Sequence, residues 1–235
     1  PVSGGPSRRL TVGADAAGDM PVFSADGSAL VFARYRDGGD GSRLPDLWRV
    51  ALAGGEPELY VPDASGAGFS PDGRLVAYTR RDGTRAPLCL APSADPRRCQ
   101  ELAPRGFVPR FSVDGLRLAF TTSDPEGGPG EIWVRPLAGG GAQARRLAGP
   151  PTQMYGLTWL PGEQGLVAAE ERAGSFQLWL HPLDARPPVL LTTGVGGYAS
   201  PSLAPDGRAL AFCHTRGTQD LTQARLGQPG SRALS

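Results

Sequence analysis

The chain has 235 residues, and its 34 glycines and 24 prolines make up about a quarter of it. The longest stretch free of both is the ten residues from Ser28 to Asp37, so a helix bundle and a doubly wound α/β fold are excluded. The formal net charge is +1, with 24 cations, all arginine, against 23 acidic residues; this leaves no basic excess for nucleic-acid binding.

The remaining bulk numbers narrow the class. At 40% hydrophobic and 20% charged residues the chain has the composition of a folded domain. No apolar run reaches the roughly 20 residues that span a bilayer, so direct membrane insertion is not expected. Residues 1–7 (PVSGGPS) read as a linker, 8–226 as the folded domain and 227–235 as a C-terminal tail.

From the N-terminus onward one block recurs: an aromatic residue or Leu, two residues, then Asp-Gly, then a short apolar strand. The copies are Phe23 to Gly27, Phe69 to Gly73, Phe111 to Gly115 and Leu203 to Gly207, with a degenerate copy at Trp159 to Glu163. Their fourth residues are 46, 42, 48 and 44 apart. The strands that follow are marked by Leu30-Val31-Phe32, Leu75 to Tyr78, Leu118-Ala119-Phe120, Leu166-Val167-Ala168 and Leu210-Ala211-Phe212. A loop leads to a second strand at Leu47-Trp48, Leu88-Cys89, Ile132-Trp133, Leu178-Trp179 and Leu221-Thr222. Tight turns such as Ala53-Gly54-Gly55 then lead to strands ending at Leu59, Leu102, Leu147 and Leu191. Pro presets φ and Gly takes the positive φ that such turns need. Four short strands per unit at a period near 45 are the pattern of a propeller blade.

The expected fold is therefore all-β: a single β-propeller of five four-stranded blades. The orphan strand Arg9-Leu10-Thr11-Val12 is expected to complete the last blade and close the ring, which hides a sheet edge. The alternative is an arc of a six-bladed propeller.

Phe-Ser-Pro-Asp-Gly, then Leu-Val-Ala-Tyr-Thr-Arg, and later Asp-Leu-Trp and Leu-Ala-Gly-Gly, resemble the WD40-like (PD40) repeats of TolB-type β-propellers. The resemblance covers residues 8 to 226. It implies a recognition or sensor module binding a protein or peptide, in a periplasmic or other extracytoplasmic setting; a cytoplasmic one is the alternative. It also implies two other readings. One is the substrate-gating propeller of a hydrolase or lyase. The other is a small-molecule sensor at the channel mouth.

The residues offer little chemistry. No G-x-S-x-G occurs, and the two histidines, His181 and His214, lie in different units and read as surface or rim residues. Glu170-Glu171 beside Arg172 reads as a solvated acidic pair. Gly194 to Ala199 matches G-x-G-x-x-A, but Ser200-Pro201 follows where a dinucleotide site needs a helix. Asp37 to Ser42 is thin for the six to eight oxygens around Ca²⁺. No enzyme activity, cofactor or metal is expected. Cys89 and Cys99 sit within cross-strand reach, so a disulfide is one reading and two reduced thiols the other.

In each unit the Asp-Gly and Gly-Gly turns fall on one face, and the longer, dissimilar loops on the other. Loops on a rigid scaffold carry function. Phe107, Tyr155 and Tyr198 enter successive innermost strands, and Arg34, Arg80 and Arg105 belong to the same side. Aromatic residues and arginine are enriched in binding hot spots. These six residues are the candidate partner-binding set of an expected monomer; the competing reading packs the aromatics between blades.

Overall fold

A computed structural model describes residues 10, 18–39, 42–122, 128–138, 143–184, 186–204, 207–216, 219–225 and 231–234. They form five four-stranded antiparallel sheets in which sequence neighbours pair. The first holds β1 (Gly18–Phe23), β2 (Ala29–Asp37), β3 (Arg43–Ala51) and β4 (Glu58–Val61). The second holds β5 (Ala64–Phe69), β6 (Leu75–Arg80), β7 (Leu88–Pro92) and β8 (Gln100–Ala103). The third holds β9 (Phe107–Phe111), β10 (Arg117–Thr121), β11 (Ile132–Pro136) and β12 (Arg145–Arg146). The fourth holds β13 (Met154–Trp159), β14 (Gly165–Arg172), β15 (Ser175–Pro182) and β16 (Val189–Leu190). The fifth holds β17 (Gly197–Leu203), β18 (Ala209–Thr215), β19 (Gln219–Arg225) and β20 (Ser231–Leu234). The chain divides into two compact units between Leu118 and Ala119.

The fifth sheet corrects the reading of the chain ends. Its fourth strand is β20, from the segment read as a tail, and β20 pairs with β19 from Leu221↔Leu234 to Ala224↔Ser231. Apart from Leu10, the strand expected over Arg9 to Val12 lies outside the described residues. The sequence hides β20 because Gly227-Gln-Pro-Gly230 reads as a stop signal, while a strand edge needs only backbone groups.

The repeated Ser-x-Asp-Gly is a hydrogen-bonded turn. In sheet two the Ser70 hydroxyl donates to Asp72 (2.6 Å) and accepts from the Leu75 N–H (2.9 Å), while Asp72 also accepts from the Arg74 N–H (3.0 Å). Ser24–Asp26 and Ser112–Asp114 repeat the pattern. These donors hold the carboxyls of Asp72 and Asp114 below the ordinary 3.8 and take that of Asp26 down to about 2. The glycine answers a second need. A Cβ on Gly73 would stand 3.2 Å from the Ala25 Cβ, one on Gly115 3.4 Å from Pro71 Cδ, and one on Gly207 2.9 Å from Pro161 Cγ. The third residue of one motif thus packs on the glycine of the next.

The innermost strands share a second device. Met20, Gly66, Val108, Gly156 and Ser200 all have left-handed φ, between 50 and 111°. Four of these strands shift register there, which is a β-bulge. The bulges sit against one another within each unit. A Cβ on Gly66 would lie 3.7 Å from Met20 Sδ and from Val108 N, and one on Gly156 would lie 2.8 Å from Ser200 Cα. Met20, Val108 and Ser200 accept a conformation costly for an L side chain.

The second strands carry unbroken apolar runs, such as Ala29 to Ala33 and Leu75 to Tyr78, because both faces are covered there. In the first unit Val31, Leu47, Val61, Val76, Tyr78 and Cys89 form one buried cluster. In the second, Val167, Ala169, Leu178, Leu210 and Phe212 form another. Each large aliphatic side chain buried this way contributes about 1.5–3 kcal/mol.

Candidate functional site

The ten-residue stretch without Gly or Pro becomes β2, which pairs with β3 from Ala29↔Ala51 to Asp37↔Arg43. At nine residues each these are the longest strands among the described residues. The far end of this hairpin carries a groove of about 510 Å³ lined by Arg34, Tyr35, Arg36, Asp37, Asp46 and Trp48. The Arg34 guanidinium lies over the Trp48 ring at 5.2 Å and that of Arg43 over Tyr35 at 4.7 Å, geometry in which a cation meets the negative ring face. Asp46 is the buried buttress. Its carboxylate accepts from Arg36 Nε at 3.0 Å and from the Asp63 N–H at 2.8 Å, and Arg36 also pairs with the Asp63 carboxylate. This fixes the hairpin against the turn between β4 and β5.

Of the six candidate residues, Arg34 belongs to this groove. Arg80 ends β6, half-buried, with its N–H on the Pro87 carbonyl at 2.9 Å. Arg105 lies over the Phe107 ring at 5.1 Å, and Phe107 itself is buried at 7% exposure. Its ring serves the core more than the surface. Tyr155 is 44% exposed and meets Phe176 edge-on at 5.8 Å. Tyr198 is half-buried, stacked on His214 at 4.3 Å and tilted against Phe212 at 5.7 Å. The His214 Nε2 approaches the Val195 carbonyl at 3.2 Å, and Val195 stands 84% exposed. Sequence reasoning treated Trp48 only as a strand marker and missed Tyr35, Arg43 and Asp46. The uninterrupted stretch before Asp37 was the available signal for a long hairpin.

The reading of Glu170 and His181 as solvated is corrected. Glu170 is fully buried and His181 is 3% exposed. Glu170 Oε1 lies 2.5 Å from His181 Nε2, and its Oε2 accepts from Arg172 at 2.6 and 2.9 Å. His181 Nδ1 lies 3.1 Å from the Ala148 carbonyl. A carbonyl only accepts, so Nδ1 carries the proton donated there. Arg172 lies over the Trp179 ring at 3.6 Å. Both ring nitrogens are engaged inside the sheet, and the dyad is closed to a substrate. Among the described residues no group of three or more His, Cys, Asp or Glu is placed to hold a metal ion.

Cys89 and Cys99 form a disulfide with Cα atoms 5.4 Å apart. They are diagonal rather than directly opposite, since Cys89 pairs with Glu101 and Leu90 with Gln100.

Solved structures share this arrangement. TolB of Agrobacterium tumefaciens superposes with a TM-score of 0.76 at 18% identity, over 93% of this chain and 80% of that one. The fold is a TolB-like β-propeller. TolB of Acinetobacter baumannii gives 0.69 at 16% identity, over 88% of this chain and 51% of that one. A Mycobacterium tuberculosis puromycin-hydrolyzing peptidase gives 0.62 at 22% identity, over 88% of this chain and 35% of that one. This chain thus spans about four fifths, half and a third of the length of these three chains. No protein-family model matches the sequence, and no curated protein matches it.

Proposed function

We propose that this TolB-like propeller is a non-catalytic recognition module that binds a protein or peptide at the long-loop end of its sheets. The observation that carries the reading is the groove on the β2–β3 hairpin. It combines a half-buried Arg34–Trp48 stack with a buried Asp46 that holds the hairpin rigid. Stacked Arg and Trp side chains bring large contact area and directed donors with little ordering cost. The disulfide supports an extracytoplasmic setting, because such bonds persist in oxidising compartments. No described helix is long and apolar enough to cross a membrane.

The test is selection of binding peptides from a displayed library on the immobilised chain, followed by titration. Trp48→Ala should weaken the selected peptides about thirtyfold, or about 2 kcal/mol, while Gln143→Ala should leave them unchanged. Equal affinity for both variants would remove the hairpin from the site. A second reading is favoured by the peptidase match: a propeller that gates access to a hydrolase. Hydrolysis of a peptide substrate by a longer form of the protein, altered by Trp48→Ala, would favour it.

A further inference from the structure

The turn face of the first unit, opposite the hairpin groove, carries a second concavity of about 500 Å³. Its floor is the Tyr60 and Phe69 rings, tilted with centroids 6.3 Å apart. Its rims are the Asp-Gly turns bearing Asp26 and Asp72, with Ser93 and Ala94 of the β7–β8 turn closing one end. We propose that this groove binds an extended peptide segment through an arginine or lysine side chain, whose stem lies on the two rings and whose charge meets Asp26 and Asp72.

Four observations support that occupant. First, the rims are rigid. The Tyr60 hydroxyl donates to the Ser93 carbonyl at 2.8 Å, the Ser93 N–H to the Arg74 carbonyl at 2.8 Å, and the Ser93 hydroxyl to the Gly73 carbonyl. The Cys89–Cys99 bond clamps the base of the same hairpin.

Second, the two carboxylates stay ionised and keep acceptor capacity. Asp26 uses one oxygen for Ser24 and the Ser28 N–H and the other for the Ser28 hydroxyl, and Asp72 uses one oxygen for Ser70 and the Arg74 N–H. An ionised carboxylate offers about four lone-pair sites.

Third, the local cations are already matched. Arg49, on the groove wall, lies 3.7 Å from Glu58, and Arg74 Nε stands 3.9 Å from the Asp72 carboxylate with its side chain 85% exposed. Two arginines therefore face three carboxylates, and a further cation balances the groove.

Fourth, exposed apolar side chains lie on the strand end and turn that adjoin it in the row of repeats. Phe23 precedes the first turn at 60% exposure, and Val113 and Leu116 flank the third turn, which packs on the second through Gly115 and Pro71. An apolar–basic–apolar segment laid across the row of turns offers an apolar residue to each of these exposed side chains, which a free cation does not.

The test uses the full chain and fluorescein-labelled Leu-Ala-Arg-Ala-Leu, read by polarisation against the same peptide with glutamate at its centre. The arginine peptide should bind at least tenfold tighter, with affinity falling as salt rises. Asp26→Asn with Asp72→Asn should remove at least tenfold of that affinity. Because those substitutions also loosen the turns, Ala94→Trp is the second variant. It fills the groove, leaves both aspartates in place, and should abolish binding at an unchanged melting temperature. Equal binding of the two peptides, or undiminished binding to Ala94→Trp, overturns the proposal. So does Ca²⁺ at 1 mM displacing the peptide and itself raising the melting temperature, which would make the groove a metal site. Trp48→Ala should leave this binding unchanged, so its outcome is separable from that of the hairpin groove.

Discussion

Sheets two and four brace their third strands by opposite means. Sheet two uses a covalent bond and an aromatic anchor: Cys89 is tied to Cys99, and the buried Tyr78 donates its hydroxyl to the Pro96 carbonyl at 2.7 Å. Sheet four has Trp179 where sheet two has Cys89 and buries a carboxylate beside it, satisfied by Arg172 and His181. A disulfide acts mainly by restricting the unfolded chain. A buried ion cluster is favourable only while every member is present, since each charge has lost its water. Sheet two should therefore tolerate substitution gradually, and sheet four should fail at one stroke.

The sharpest way to break this contrast is Glu170→Ala. It leaves the buried His181 without its carboxylate partner and the half-buried Arg172 without its ion pair, and we expect a loss of about 3–5 kcal/mol in urea unfolding. A loss under about 1 kcal/mol would show that the cluster is not load-sharing in sheet four. The matching change in sheet two is Cys89→Ala with Cys99→Ala, expected to cost about 2–3 kcal/mol for so short a loop. Reductant should lower the melting temperature of the parent chain and leave this variant unaffected; an unaffected parent would refute the clamp.

The elements were legible because turn chemistry and strand length are local properties. Phe69-Ser-Pro-Asp-Gly73 announces its turn, and Leu75 to Tyr78 its strand. The burial of Glu170 was not, because charge alone reads as exposure. What puts it inside is register, with Glu170 opposite Gln177 and Leu166 opposite His181, and register is a relation between distant residues. The left-handed residues Met20, Val108 and Ser200 were hidden for a related reason. No glycine marks them, so tertiary packing imposes the left-handed φ against local preference. In the candidate site Arg34 was visible as a long-loop residue, but the Asp46–Arg36–Asp63 brace depends on contacts across 17 and 27 residues.

Smaller effects separate the two sheets at their first turns. Ser70→Ala removes the acceptor for the Leu75 N–H and should cost about 1 kcal/mol. The corresponding position in sheet four is Leu160, where the backbone closes the turn alone through the Gly165 carbonyl at 2.9 Å. A substitution there should leave the turn's hydrogen bonding intact.

Acid should separate them least but in a defined direction. The carboxyls of Asp26, Asp72 and Asp114 are depressed when folded, so their contribution is present above the unfolded value near 3.8 and is lost as pH falls below it, for Asp26 toward about 2. Amide exchange at Ala29, Leu75 and Arg117 should accelerate over that window, while exchange at Leu160 stays level. Uniform acceleration at all four would assign the acid response to global unfolding.

The stacking of one motif's third residue on the next motif's glycine has an evolutionary consequence. Repeats in this chain are not interchangeable cassettes. Ala25 constrains what residue 73 is free to become, Pro71 constrains residue 115, and Pro161 constrains residue 207. Drift in one copy therefore narrows the options of its successor, and divergence should proceed in linked pairs along the chain. Anyone shuffling or duplicating repeats to lengthen the array would have to move each motif together with the half of its neighbour that it touches.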